Sequence, residues 1–98
     1  MNMQALMKQA QKIQSDMMKA KEEINKTIYE ASSSIVSIKM TGEKKLVEVK
    51  IDTDKLEKDD IEMLEDMLIV AINDAIKKID KDTEQKLGKY TQGMPGLF

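Results

Sequence analysis

The sequence predicts a single α+β domain over residues 1–98, of order α-β-β-β-α, in which a small antiparallel sheet carries two long projecting helices. Three observations predict it. Apolar residues recur at spacings of 3 and 4 up to residue 24, the period changes to 2 between residues 36 and 51, and a helical stripe resumes from residue 61.

The first helix is expected over about residues 3–26, because Met3, Leu6, Ala10, Ile13, Met17, Ala20 and Ile24 form a heptad seam. At 1.5 Å per residue it would be roughly 36 Å long, more than the core of so small a domain needs, so part of it should project or pair. Asp16 and Lys21 flank the seam where a neighbouring helix could form ion pairs, each worth only about 0–1 kcal/mol when exposed. Next, Val36, Ile38 and Met40 alternate with Ser37, Lys39 and Thr41, and beyond Gly42-Glu43-Lys44-Lys45 the residues Val47, Val49 and Ile51 alternate with Glu48 and Lys50. This is a hairpin with one apolar face, with strands over about 35–41 and 46–51. A further strand is expected at about 27–31, joined through Ser32-Ser33-Ser34, since a two-stranded ribbon alone is marginal in water.

The second helix is expected over about residues 60–88. Asp59 can cap it, with Glu62 three residues on and Asp60 adding negative charge at the positive end of the helix dipole. Ile61, Leu64, Leu68, Ile72, Ala75 and Ile79 form its stripe, Met63, Met67, Val70 and Ile76 widen it, and residues 67–72 are apolar all round. Such a middle needs cover on two sides: the sheet on one, and a second subunit or the first helix on the other. Met63, Met67 and Val70 are therefore dimer-interface candidates, with Asn73 and Asp74 as polar contacts across it. Gly93-Met94-Pro95-Gly96 cannot continue the helix, which leaves a flexible tail over 92–98.

Composition narrows the function. The chain has no cysteine and no histidine, which removes disulfide scaffolds, thiol nucleophiles, imidazole acid–base chemistry and Cys/His zinc sites. No nucleophile–base pair is visible elsewhere, so the chain is not expected to be an enzyme, nor to need a cofactor, a metal or a small-molecule substrate. Asp52, Asp54, Asp59 and Asp60 lack the glycine and ligand order of a calcium loop and read as capping and solvated loop. Nine methionines, several on the helical seams, suit core filling, or an adaptable partner surface. The N-terminal stretch is too polar for a signal-peptide core and no apolar run approaches a membrane span, so a cytoplasmic protein without a membrane partner is expected.

The net charge of −2 hides an asymmetry. Residues 1–26, 27–51 and 67–98 carry +2, +1 and +1, while residues 52–66 carry −6. All sixteen basic residues are lysine; without the arginine fork, any reading of base edges should be weak. Lys12, Lys19 and Lys26 recur every seven residues, about 10.5 Å apart, on the helix face away from the seam, with Lys8 one turn before Lys12. Lysines on a solvated face are ordinary, but the same spacing suits a stripe that tracks phosphates. Lys77, Lys78, Lys81, Lys86 and Lys89 form a comparable cluster late in the second helix, diluted by Asp80, Asp82 and Glu84. Tyr29, Tyr90 and Phe98 are scattered, so no stacking platform for single strands is visible and duplex is favoured.

Leu46-Val47-Glu48-Val49-Lys50-Ile51-Asp52, then Asp59-Asp60-Ile61-Glu62-Met63-Leu64-Glu65-Asp66-Met67, then Asn73-Asp74-Ala75 resemble the signature of the YbaB/EbfC family. The opening Leu6-Met7-Lys8-Gln9-Ala10-Gln11 and the closing Pro95-Gly96-Leu97-Phe98 match in the same order, over essentially the whole chain. The resemblance implies a bacterial, nucleoid-associated, tweezer-like homodimer that binds duplex DNA with little sequence preference, and it makes both lysine sets DNA-contact candidates. Two departures are present: Ser32-Ser33-Ser34 stands where family members carry glycines, and Thr53 where they carry a proline. Serine tolerates positive φ less well than glycine, so the first turn's geometry is in question. A second reading stays open, in which the chain is an adaptor docking DNA repair, recombination or replication proteins through its seams, with DNA contact incidental.

Overall fold

The computed structural model describes residues 2–91, and the tail expected over 92–98 lies outside them. The elements are α1 (Met3–Lys26), β1 (Ile28–Ser33), β2 (Val36–Thr41), β3 (Leu46–Ile51) and α2 (Ile61–Thr91), with two short 3-10 turns, Thr53–Lys55 and Lys58–Asp60, ahead of α2. This is the expected α+β order, with shifts at three boundaries.

Thr27 ends α1 instead of starting a strand. Its N–H donates to the carbonyls of Glu23 and Ile24 at 3.1 Å each, and its hydroxyl donates to Glu23 O at 2.6 Å. β1 then runs on through Ser32 and Ser33, since Ser33 pairs with Val36, and the turn contracts to Ser34 and Ile35. Ser34 adopts φ 53 there, the left-handed geometry that glycine would take without strain. Asp59, expected as the cap of the second helix, lies inside the 3-10 turn. The capping falls upstream, where Glu57 N–H donates to the Asp60 carboxylate at 3.0 Å and Asp60 N–H returns to Glu57 O at 3.0 Å. At its other end α2 continues to Thr91, because Leu87 is buried and holds the last turns down.

The sheet is antiparallel in the order β1-β2-β3. Ile38 opposes Ala31 on one side and Val49 on the other, so one face of the sheet carries the apolar residues. A bulge in β3 leaves Val47 as the extra residue between Glu48, opposite Lys39, and Leu46, opposite Met40. The outer face is polar: Lys39 sits between Glu30 and Glu48 at 3.5 Å from each. Exposed pairs like these contribute about 0–1 kcal/mol each.

Val36, Ile38 and Met40 of β2 and Ala31 of β1 pack against Ala71, Ala75 and Ile79 of α2. The two alanines let the helix axis approach the sheet, and Val36, Ile38 and Ile79 are almost wholly removed from water. Each such side chain contributes about 1.5–3 kcal/mol. α2 lies over β1 and β2 but not over β3. The reason is width: a helix about 10 Å across covers two strands spaced about 4.8 Å apart.

α1 packs on the C-terminal half of α2, with Ile24 buried beside Ile79 and Leu87. The helices run antiparallel, so α1 projects past Thr91, the last described residue of α2. Asp16 and Met17 are half-buried, and residues 2–15 are all exposed. The molecule is accordingly elongated, 71 × 21 × 14 Å, with a Cα radius of gyration of 19.4 Å against roughly 13 Å for a compact domain of this length.

Candidate nucleic-acid interface

Because α1 turns its seam toward α2, helical periodicity places Lys8, Lys12, Lys19 and Lys26 on the opposite side, and all four are exposed. Over 18 residues the stripe spans about 27 Å. No ion pair engages any of the four among the described residues. Glu22 and Glu23 flank Lys19 and Lys26, whereas no acidic residue precedes Asp16, so the arm is most basic toward its tip. The first turn of α1 also carries no acid, and its N-cap is the neutral Asn2, whose side-chain oxygen accepts from Gln4 N–H at 3.0 Å. The positive end of the helix dipole is therefore uncompensated beside Lys8. α2 is the reverse: Asp59, Asp60 and Glu62 open it at the far end of the molecule.

The second lysine cluster is dispersed around α2. Lys78 Nζ donates to Glu30 O on β1 at 2.8 Å, Lys86 pairs with Asp82 at 3.1 Å, and Lys89 lies 5.0 Å from the Tyr90 ring centroid. Asp80 pairs with Lys44 of the β2–β3 turn at 3.0 Å. Only Lys77 and Lys81 of the five are exposed with no such engagement among the described residues.

The sheet is fastened to α2 by a contact that the sequence did not suggest. Tyr29 Oη donates to Asp82 Oδ2 at 2.5 Å, joining β1 to α2 just where α1 docks. Burial, reinforced by the Asp82 carboxylate, pushes the Tyr29 phenol up to about 12, while the Tyr29 hydroxyl, helped by Lys86, holds the Asp82 carboxyl below its usual range. The neutral phenol thus contributes stability that is complete below its ordinary value of 10 and is lost as the pH rises toward 12. The Asp82 carboxylate contributes above its ordinary 3.8, and that share is lost as the pH falls through its lower folded value. Tyr29→Phe is expected to cost about 1 kcal/mol at pH 7 and to flatten the loss of stability between pH 10 and 12. Urea unfolding of both proteins across that range measures it; parallel alkaline limbs would refute it.

Of the interface candidates, Met67 packs on the core cluster, while Met63, Val70, Asn73 and Asp74 are exposed. A surface missed in the sequence accompanies them. Val49 is 41% exposed on the bare inner face of β3, with Leu46 opposite Met40 on the same strand, and Ile69 is 57% exposed on α2. Lys78 and Asp82 point to β1; by helical periodicity Ile69, Ile72 and Ile76 then lie on the flank toward β3. The signal was present as arithmetic, since three strands face one helix.

On the polar outer face of the sheet, a shallow cavity of about 440 Å³ is lined by Glu30, Ser37, Lys39, Glu48, Lys50 and Lys78 among others, with its central Lys39 already balanced by two carboxylates. No helix among the described residues is long and apolar enough to cross a membrane.

The fold and this surface define a small α+β binding module that presents cations along a helical arm. The model of the YbaB/EbfC DNA-binding family matches residues 1–94, and the chain belongs to that family. It is 43% identical to a nucleoid-associated protein of Ligilactobacillus salivarius, over 99% of this chain and 95% of that one. It is 46% identical to another from Enterococcus faecalis, over 98% and 94%, and 44% identical to one from Lactococcus lactis subsp. cremoris, over 97% and 98%. The crystal structure of an uncharacterized Helicobacter pylori protein shares the fold, with a TM-score of 0.69 at 24% identity over 87% of this chain and 91% of that one. The family is one of DNA-binding proteins and not of enzymes.

Proposed function

We propose that the protein is a nucleoid-associated homodimer that binds duplex DNA with little sequence preference, chiefly through Lys8, Lys12, Lys19 and Lys26. The observation that carries this reading is a single exposed face of a projecting helix bearing four lysines with no ion-pair partner among the described residues. Ammonium groups in that state have no intramolecular contact to lose when they meet phosphate, and counterion release supplies the affinity. Lys77 and Lys81 add to it. Lys78, Lys86 and Lys89 contribute less, because each already holds a neighbour. With no arginine to fork onto guanine, contacts to phosphate dominate over contacts to bases. The acidic opening of α2 repels phosphate and keeps that end of the molecule off the duplex.

The dimer forms where α2 leaves the sheet uncovered, with the inner face of β3 and the Ile69 flank at its centre and the exposed Met63 and Val70 on the same half of the helix, beside Asn73 and Asp74. Two copies related by a two-fold axis bury the same surface twice and leave both α1 arms free.

Fluorescence anisotropy of a labelled duplex, titrated at several salt concentrations, tests the reading. Affinity is expected to fall with a log–log slope of roughly 0.9 per phosphate contact, and the Lys8→Gln/Lys12→Gln/Lys19→Gln variant should be shallower by about 2–3 units. A folded dimer that fails to bind at low salt would displace this reading in favour of an adaptor for DNA repair or replication proteins.

A further inference from the structure

α1 carries a second exposed row beside its lysines. Gln4, Gln11 and Met18 recur every seven residues, each one position ahead of Ala5, Lys12 and Lys19, so the row runs parallel to the lysine stripe, about 100° around the helix. Ser15 falls between the two rows and Gln14 on the far flank. All five side chains are exposed, Met18 by 62%, and none has a hydrogen-bond partner among the described residues. Gln11, Gln14, Ser15 and Met18 line a shallow groove of about 370 Å³ along the helix, with Lys19 and Glu22 completing it. The composition is unusual for a solvated face. The chain is 35% charged, yet the only charges in residues 2–15 are Lys8 and Lys12, and neither belongs to this row. We infer that the row reads base edges in the major groove while the lysines beside it hold the phosphates, which gives the arm a modest preference for A·T pairs. The inference rests on the DNA-binding reading above and adds to it the residues that choose among sequences.

Dimensions and chemistry agree. A helix about 10–12 Å across fits a major groove about 12 Å wide. With the row on the groove floor, a stripe turned about 100° away meets the wall, where the phosphates stand. From Gln4 to Met18 the row is about 21 Å long, the rise of roughly six base pairs. A glutamine amide matches adenine in two bonds, donating to N7 and accepting from the N6 amino group, and an apolar side chain packs on the thymine methyl. The row itself holds no arginine or lysine to match guanine. Glu22 closes it on the side of the sheet, so reading is confined to the projecting part of α1.

Selection by the full chain from a pool of duplexes with a randomised centre tests this. The wild-type protein is expected to enrich A·T-containing sites and to bind the enriched duplex about tenfold more tightly than a G·C-only duplex of equal length. Replacing the adenines by 7-deazaadenine removes the N7 acceptor and leaves the minor groove unchanged, and should abolish most of that advantage. Gln11→Ala/Gln14→Ala should lose the advantage as well while keeping its salt slope, since alanine preserves the helix and no lysine is touched. A folded protein that retains no duplex at low salt would overturn the DNA reading and this inference together. Retention of the pool without enrichment, or an advantage that survives either deazaadenine or the double variant, would overturn this inference alone.

Discussion

Replacing both Val49 and Ile69 by aspartate is expected to yield folded monomers of 11.2 kDa, where the proposed wild-type dimer should sediment at twice that mass. Both side chains are about half exposed in the single chain, 41% and 57%, so their loss leaves the core of Val36, Ile38 and Ile79 intact. In a two-fold assembly each change counts twice. Four aliphatic side chains contribute about 1.5–3 kcal/mol apiece on burial, and the carboxylates that replace them would be buried without partners. Dissociation should strengthen by at least about a thousandfold, at roughly 1.4 kcal/mol per decade. Sedimentation equilibrium with a far-ultraviolet spectrum distinguishes this from unfolding, and a double variant that stays dimeric would move the interface elsewhere.

Gly42→Ala should be the most damaging single methyl in the molecule. A Cβ at this position would stand 1.8 Å from Ile24 O and 2.4 Å from its carbonyl carbon, and both are backbone atoms with no rotamer to change. Gly42 N–H donates to Thr27 O at 3.1 Å, so the same close approach ties the β2–β3 turn to the end of α1. Relieving the clash means lifting α1 from its seat and breaking that bond, at a cost of about 3 kcal/mol or more and a fall in Tm of at least about 12 °C. Gly88→Ala is the control: its added Cβ meets nothing within 4 Å, and in a helix alanine is favoured over glycine by up to about 1 kcal/mol. Equal melting temperatures for the two variants would contradict the packing described.

The elements that could be read from the sequence are those whose cause is local. The spacing of the α1 seam, the alternation on either side of Gly42 and the stripe from Ile61 to Ile79 each depend on one residue's relation to the next few, and each became the expected element. What could not be read depends on distance or competition. Thr27 has high strand propensity but is taken by the end of α1. Asp59 has the right neighbours for a cap, yet the 3-10 turn hands that role to Glu57 and Asp60. Tyr29 and Asp82 lie 53 residues apart, and nothing local marks them as partners. The lysines illustrate both cases: periodicity alone puts Lys8, Lys12, Lys19 and Lys26 on one face, whereas only the tertiary structure reveals that Lys78 and Lys86 are occupied.

The bond from Lys78 Nζ to Glu30 O has a consequence for how far association can run. A three-stranded sheet has two borders, and a subunit with both borders open is a monomer for fibre growth. Here the border at β1 is stoppered by a long ammonium side chain reaching across from α2, and the one at β3 remains available. If the proposed dimer uses the β3 side, each subunit keeps no second open border, and Lys78→Ala is expected to restore one.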